Sequence, residues 1–67
     1  MIEIILNGAV RRLAGPLTIA ALLEGEGMAG KRLAVERNGE IVPKSRHAET
    51  LVAAGDKLEI VVAVGGG

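Results

Sequence analysis

The sequence predicts an α+β fold, a mixed sheet of four to five strands with one helix packed across one face. Three observations predict it. Several segments alternate hydrophobic residues with period two, two Asn-Gly pairs sit between such segments, and one short stretch has helical spacing behind a threonine placed to cap it.

Taken in order, Ile2, Ile4 and Leu6 alternate with Glu3, Ile5 and Asn7, the period of a strand with two distinct faces. Asn7-Gly8 follows, and because both residues tolerate positive φ it predicts a tight hairpin. Ala9 to Ala14 is the return strand, with Val10 and Arg12 on one face and Arg11 and Leu13 on the other, and Gly15-Pro16 breaks it. Thr18 is placed to N-cap a helix in which Ile19, Leu22 and Leu23, at i, i+3 and i+4, form one apolar stripe. Gly25 or Gly27 stops that helix. Leu33 and Val35 then alternate with Ala34 and Glu36 into Asn38-Gly39. Glu40 to Val42 returns, and Pro43 ends the pair because proline lacks a ladder donor. Residues 44 to 54 read as a surface connection with one irregular helical turn, anchored to the core by Leu51 and Val52. After a Gly55-Asp56 turn, Lys57 to Val64 is the clearest strand, with Leu58, Ile60, Val62 and Val64 on one face. With this last strand beside the first, the two run parallel at the centre of the sheet, which is the β-grasp (ubiquitin-like) order. The expected organisation is a β-grasp domain over residues 1–64 and a glycine tail over 65–67.

Composition narrows the function. A chain of 67 residues makes one domain, and at that size only about 60% of the unfolded chain's surface is buried. Nearly half the residues are hydrophobic and none is Phe, Tyr or Trp, so the core must be aliphatic. Little volume remains for an enclosed substrate pocket, which usually needs roughly 300 Å³ or more, and an enzyme acting alone is disfavoured. Eight basic residues balance eight acidic ones in scattered positions. Without a basic stripe or a stacking aromatic, nucleic acid is not an expected partner. The apolar run Ile60 to Val64 is too short to span a bilayer, and Met1-Ile2-Glu3 opens a strand and not a signal peptide, so the expected compartment is the cytoplasm. No cysteine is present, which excludes disulfides, thiolate metal sites and Cys nucleophiles, and the single His47 makes no metal site by itself. No catalytic residue and no metal ligand is therefore expected.

The end of the chain, Val64-Gly65-Gly66-Gly67, is its most informative feature. Glycines after a central strand pack nothing and lose the most entropy on ordering. A functional reason for them is entry into a channel too narrow for a Cβ, where two or three extended residues reach roughly 7–10 Å at ~3.4 Å each. The alternative is an inert end. Gly25 to Lys31, Gly-Glu-Gly-Met-Ala-Gly-Lys, matches G-x-G-x-x-G and most of a phosphate-binding loop, but it follows a helix and precedes a strand, and Arg32 stands where Ser or Thr is needed. It is expected to be a helix-stop loop. His47, between Arg46 and Glu49 in a polar connection, is expected to be a solvated loop histidine. Arg11-Arg12 and Lys31-Arg32 read as solvated strand ends, with contact to an acidic partner as the alternative. Ile5, Val61 and Ala63 face away from the helix if Ile4, Leu6, Leu58 and Ile60 face it. They would then form an apolar partner face beside the tail, although a central strand buried on both faces would look the same.

Several stretches together resemble one known family. They are Ile4-Ile5-Leu6-Asn7-Gly8, the Thr18 to Leu23 helix, Leu33 to Pro43 with its Asn-Gly-Glu-Ile-Val-Pro segment, the Gly55-Asp56 turn with Lys57 to Val61, and the glycine end. Over essentially its whole length the chain is similar to the ThiS family, ubiquitin-like sulfur carriers of thiamine biosynthesis. The resemblance implies a protein co-substrate that is not itself an enzyme. A ubiquitin-activator-like adenylyltransferase would use ATP to adenylate the Gly67 carboxylate, with Gly65 and Gly66 lying in the partner's channel. A persulfide protein would then supply sulfur to leave a thiocarboxylate, and thiazole synthase would take that sulfur for the thiazole ring. No stably bound cofactor is implied. The alternatives are the small subunit of molybdopterin synthase, whose relatives tend to be longer and richer in aromatics, a ubiquitin-like modifier joined to lysines, and an interaction module with an inert tail.

Overall fold

The computed structural model describes residues 1–63. Its elements are strands β1 (Ile2–Leu6), β2 (Ala9–Leu13) and β3 (Leu17–Thr18), helix α1 (Ile19–Gly25), strands β4 (Leu33–Arg37) and β5 (Glu40–Val42), a 3-10 turn (Lys44–Arg46), and strands β6 (Leu51–Val52) and β7 (Lys57–Val62). The main sheet has five strands in the order β2-β1-β7-β4-β5. β1 and β7 run parallel and the other neighbours antiparallel, so the first and last strands occupy the centre as expected. The expected strand to Val64 is observed to Val62, and Val64 lies outside the described residues, as does the boundary placed at residue 64.

Both hairpins turn through Asn-Gly with φ positive at each residue, 50° and 82° at Asn7-Gly8 and 52° and 87° at Asn38-Gly39. This is the turn whose twist matches that of the flanking strands. Each asparagine then reaches β7. The Asn7 amide donates to the Leu58 carbonyl at 2.9 Å, and its Oδ1 accepts from the Ile60 amide at 2.7 Å. The Asn38 amide donates to the Lys57 carbonyl at 2.8 Å, and its Oδ1 accepts from the Lys57 amide at 2.9 Å. The two turns therefore grip the central strand from either side.

Helix α1 is short and depends on its ends. Of its first amides, Ile19 donates to the Thr50 carbonyl at 3.0 Å, Ala20 to the His47 carbonyl at 2.9 Å, and Ala21 to Thr18 Oγ1 at 3.1 Å. Three donors that a helix leaves unpaired are thus satisfied, two of them by the 47–50 connection. At the other end Gly27, not Gly25, is the left-handed stop, with φ of 73°. Gly27 donates to Glu24 and Met28 to Leu23, at 3.1 and 2.8 Å, a Schellman pattern in which Met28 also packs on the core.

The core joins Ile4, Leu6, Val35, Leu58 and Ile60 of the sheet, Ile19, Leu22 and Leu23 of the helix, and Val52. Every member is aliphatic, as the composition requires. Val52 arrives from within the expected surface connection, where β6 pairs with β3 as a two-stranded ribbon with Leu17 opposite Val52 and Thr18 opposite Leu51. Strand alternation splits the two expected anchors: Val52 is fully buried, whereas Leu51 is 56% exposed and anchors nothing. Among the described residues no helix is long and apolar enough to cross a membrane.

Candidate functional site

The glycine tail continues from β7, so the surroundings of that strand define the candidate site. Gly65, Gly66 and Gly67 lie outside the described residues. β7 is held by β4 over five residue pairs, from Leu33 opposite Val62 to Arg37 opposite Leu58, and by β1 over two, Ile5 opposite Lys57 and Leu6 opposite Leu58. Beyond the strand, the Ala63 amide donates to the Arg32 carbonyl at 2.9 Å. The residue from which 64–67 continue is thereby fixed beside the start of β4.

The sheet face away from α1 carries Ile5, Val61 and Ala34, with Val10 and Ile41 on the flanking strands. Ile5 is 39% exposed and Val61 65%, so the central strands are open on this side and not buried on both faces. Ile5 and Val61 are not side by side, however. Ile5 stands opposite Lys57, and Glu59 comes between Lys57 and Val61 on the same face. Ile5 neighbours Val10, while Val61 neighbours Ala34 with exposed Ala63 just beyond. The apolar surface is thus two patches separated by charge, and the patch of Val61 and Ala63 is the one at the tail.

At the root of β7 lies a polar cluster that the sequence reading did not find. Asp56 is only 6% exposed. Its Oδ2 accepts from Arg37 Nε and from the Ala53 amide, each at 2.8 Å, and its Oδ1 accepts from Asn38 Nδ2 at 3.1 Å. Burial pushes this carboxyl up, but the Ala53 amide, the Arg37 guanidinium and the Asn38 amide outweigh it and hold Asp56 below the usual aspartate range. The cluster joins the end of β4, the 53–56 turn and the start of β7. The only local sign of it was an aspartate in a turn, because its partners come from far away in the chain.

His47 is a correction. It is 7% exposed and not solvated. Its Nε2 lies 3.0 Å from the Val42 carbonyl oxygen, an acceptor, so Nε2 carries the proton. Its own amide donates to the Lys44 carbonyl and its carbonyl receives the Ala20 amide, at 3.1 and 2.9 Å. The 3-10 turn and the contact with α1 carry the ring inward, and a run of polar neighbours in sequence could not show this. The role is structural, pinning β5, the connection and the helix together.

Gly25 to Lys31 is the helix-stop loop that was expected, since α1 runs into it and does not emerge from it. It walls a groove of about 140 Å³ lined by Leu23, Met28, Leu33, Lys31, Arg32 and Lys44, among others. An adjoining hollow of about 260 Å³ shares its Lys44 and His47 side. Both are smaller than a usual small-molecule site of roughly 300 Å³ or more. Among the described residues no cluster of His, Asp or Glu has the arrangement to hold a metal ion.

With this geometry in place, similarity to known proteins is informative. The ThiS family model matches residues 4–67. The crystal structure of a thiamine biosynthesis protein (ThiS) from Geobacter metallireducens superposes with a TM-score of 0.84 at 29% identity, covering 98% of this chain and 100% of that one. A protein named thiazole synthase from Paramagnetospirillum magneticum is 48% identical over 65 residues, 97% of this chain, and one of the same name from Magnetococcus marinus is 34% identical. The chain spans 20% of the length of each of these two relatives. A Porphyra purpurea protein, ycf40, is 33% identical and is matched over 93% of its length. Aliphatic β-grasp core, paired Asn-Gly turns gripping the last strand, and a match running from the first strand through the final glycine all converge: the chain belongs to the ThiS family.

Proposed function

We infer that this protein is a sulfur carrier of thiamine biosynthesis whose reactive group is the Gly67 carboxylate. The observation that carries the reading is the family match over residues 4–67, which includes the glycine tail as well as the scaffold. The chemistry suits the chain. A protein without cysteine has no thiol of its own to hold sulfur, and the tail's carbonyl carbon is an available alternative. A carboxylate is a poor acceptor until its oxygen becomes part of a leaving group. In the reaction proposed, the Gly67 carboxylate attacks the α-phosphorus of ATP on a partner adenylyltransferase, releasing pyrophosphate and forming an acyl-adenylate. The outer sulfur of a persulfide protein then attacks the acyl carbon and AMP departs. Thiol reduction of the resulting acyl disulfide leaves the thiocarboxylate. Gly65 and Gly66 would thread the partner's channel, and Val61 and Ala63 would form the apolar contact beside it.

The two relatives named thiazole synthase support thiazole synthase as the sulfur acceptor, in preference to a molybdopterin enzyme. In this scheme the protein is a co-substrate and its partners supply catalysis and ATP binding. Incubation with the adenylyltransferase, ATP and a persulfide donor should replace one oxygen by sulfur, localised to Gly67 by intact and fragment mass spectra. Deletion of Gly67 should abolish the exchange. Exchange that survives the deletion, or isopeptide-linked ladders in place of exchange, overturns the reading.

A further inference from the structure

The two basic pairs of the sequence have different fates in the fold. Arg11 pairs with Glu26 at 3.0 Å and Arg12 with Glu3 at 3.3 Å, so both are balanced within the chain. Lys31 and Arg32 are exposed and have no ion-pair partner among the described residues. Nor has Lys44, which the 3-10 turn brings to the same groove. The groove floor between them is apolar, formed by Leu23, Met28 and Leu33, and Glu24 is the one carboxylate among the described residues lining the adjoining hollow.

Position gives these charges their meaning. The Arg32 carbonyl holds the Ala63 amide, and Leu33 stands opposite Val62, so the unbalanced pair sits where the tail begins. Val64 to Gly67 can extend no more than about 14 Å at ~3.4 Å per residue. Any protein that takes Gly67 into an active site must therefore bring its surface within about that distance of Ala63, and there it meets Lys31 and Arg32. A small anion is the poorer fit, because the basic side chains are long and exposed around a shallow floor, and His47 already commits its Nε2 proton to Val42.

We propose that Lys31, Arg32 and Lys44 form a docking rim for the adenylyltransferase that activates the tail, and that this partner carries aspartate and glutamate side chains around the mouth of its tail channel. The proposal rests on the carrier reading and adds the chemistry of the partner's surface. Exposed charges of this kind act mainly on encounter, raising the association rate and making it depend on salt. The rim would orient the tail toward the channel mouth before the glycines enter, while the Val61 and Ala63 patch supplies short-range contact.

The test is the association rate constant of the full chain with the adenylyltransferase, measured by stopped flow as a function of salt. Lys31→Gln with Arg32→Gln should slow association about five- to tenfold at low ionic strength, and adding Lys44→Gln should slow it further. Arg11→Gln with Arg12→Gln removes the same charge elsewhere and should change the rate less than about twofold. The difference should close near 1 M salt, where the screening length falls to about 3 Å. Circular dichroism of each variant checks that the fold is kept. Equal rates for the two double variants, or a difference that persists at high salt, overturns the rim. Intact mass on the same samples separates the two ideas: a wild-type chain that never acquires sulfur sinks the carrier reading, whereas normal sulfur transfer with unaltered association of the rim variant sinks only the rim.

Discussion

Asn38 uses its backbone amide and both ends of its side chain at once. The left-handed turn asks for a residue that tolerates positive φ, and Asp or Gly would satisfy that demand alone. The hydrogen bonds ask for more: Oδ1 must accept from Lys57, while Nδ2 must donate to Asp56. Only an amide side chain does both. Asn38→Asp keeps the turn chemistry but sets a second carboxylate against Asp56, so it should cost about 1–3 kcal/mol in urea unfolding at neutral pH. A midpoint within error of wild type would show that the Asp56 contact contributes nothing. Asn7 makes no such contact with an acid among the described residues, and its role is complete once the Ile60 amide is accepted.

At the scale of elements, two glycines at the end of α1, one inside the helix and one just past it, have opposite requirements. Gly25 is the last helical residue, with a non-left-handed φ and open space where a Cβ would go. Gly27 has the same open space but a φ of 73°. Gly25→Ala should therefore stabilise the protein by about 0.4–1 kcal/mol through helix propensity and a less free unfolded chain. Gly27→Ala should destabilise it by about 1–2 kcal/mol through the left-handed penalty alone. Denaturant midpoints of the two variants decide the matter, and shifts of the same sign would refute this assignment of the helix stop. The helix is only seven residues long, too short to persist by propensity, and its order is borrowed from the 47–50 connection and from Ile19, Leu22 and Leu23 in the core. That dependence explains why His47 is buried although it lies far from the helix in sequence.

Across the whole molecule, the buried acid at the root of β7 predicts the response to pH. Asp56 binds its proton less readily in the folded state than in the unfolded chain, where an aspartate titrates near about 3.9. Its contribution is therefore complete above that value and is lost as pH falls through the lower folded value. Asp56→Asn should cost about 1.5–3 kcal/mol at neutral pH and should flatten the loss of stability below about pH 4, as read from denaturant midpoints across a pH series. An equally steep acid limb in the variant would assign it to other carboxylates. The same cluster ties the end of β4 to the start of β7, so the strand that leads to the tail is anchored at its far end while Arg32 holds it at the near end. On the proposed function, a strand held at both ends is the base from which the tail would be presented.

Local physics by itself determined the five strands of the main sheet, both hairpin turns, the helix with its threonine cap and the aliphatic character of the core. Each of these depends on residues close together in the chain, where alternation, spacing and φ tolerance act directly. Only the tertiary structure decided what depends on distant partners. The β3–β6 ribbon consists of two-residue strands too short to show a period, and it separates Val52 from Leu51. Burial of His47 and Asp56 requires carbonyls and donors brought in from other elements. The division of the apolar face into two patches follows from the short register between β1 and β7, and the gathering of Lys31, Arg32 and Lys44 follows from the 3-10 turn. Pairing across a fold obeys register and closure, and neither is written in the neighbours of a residue.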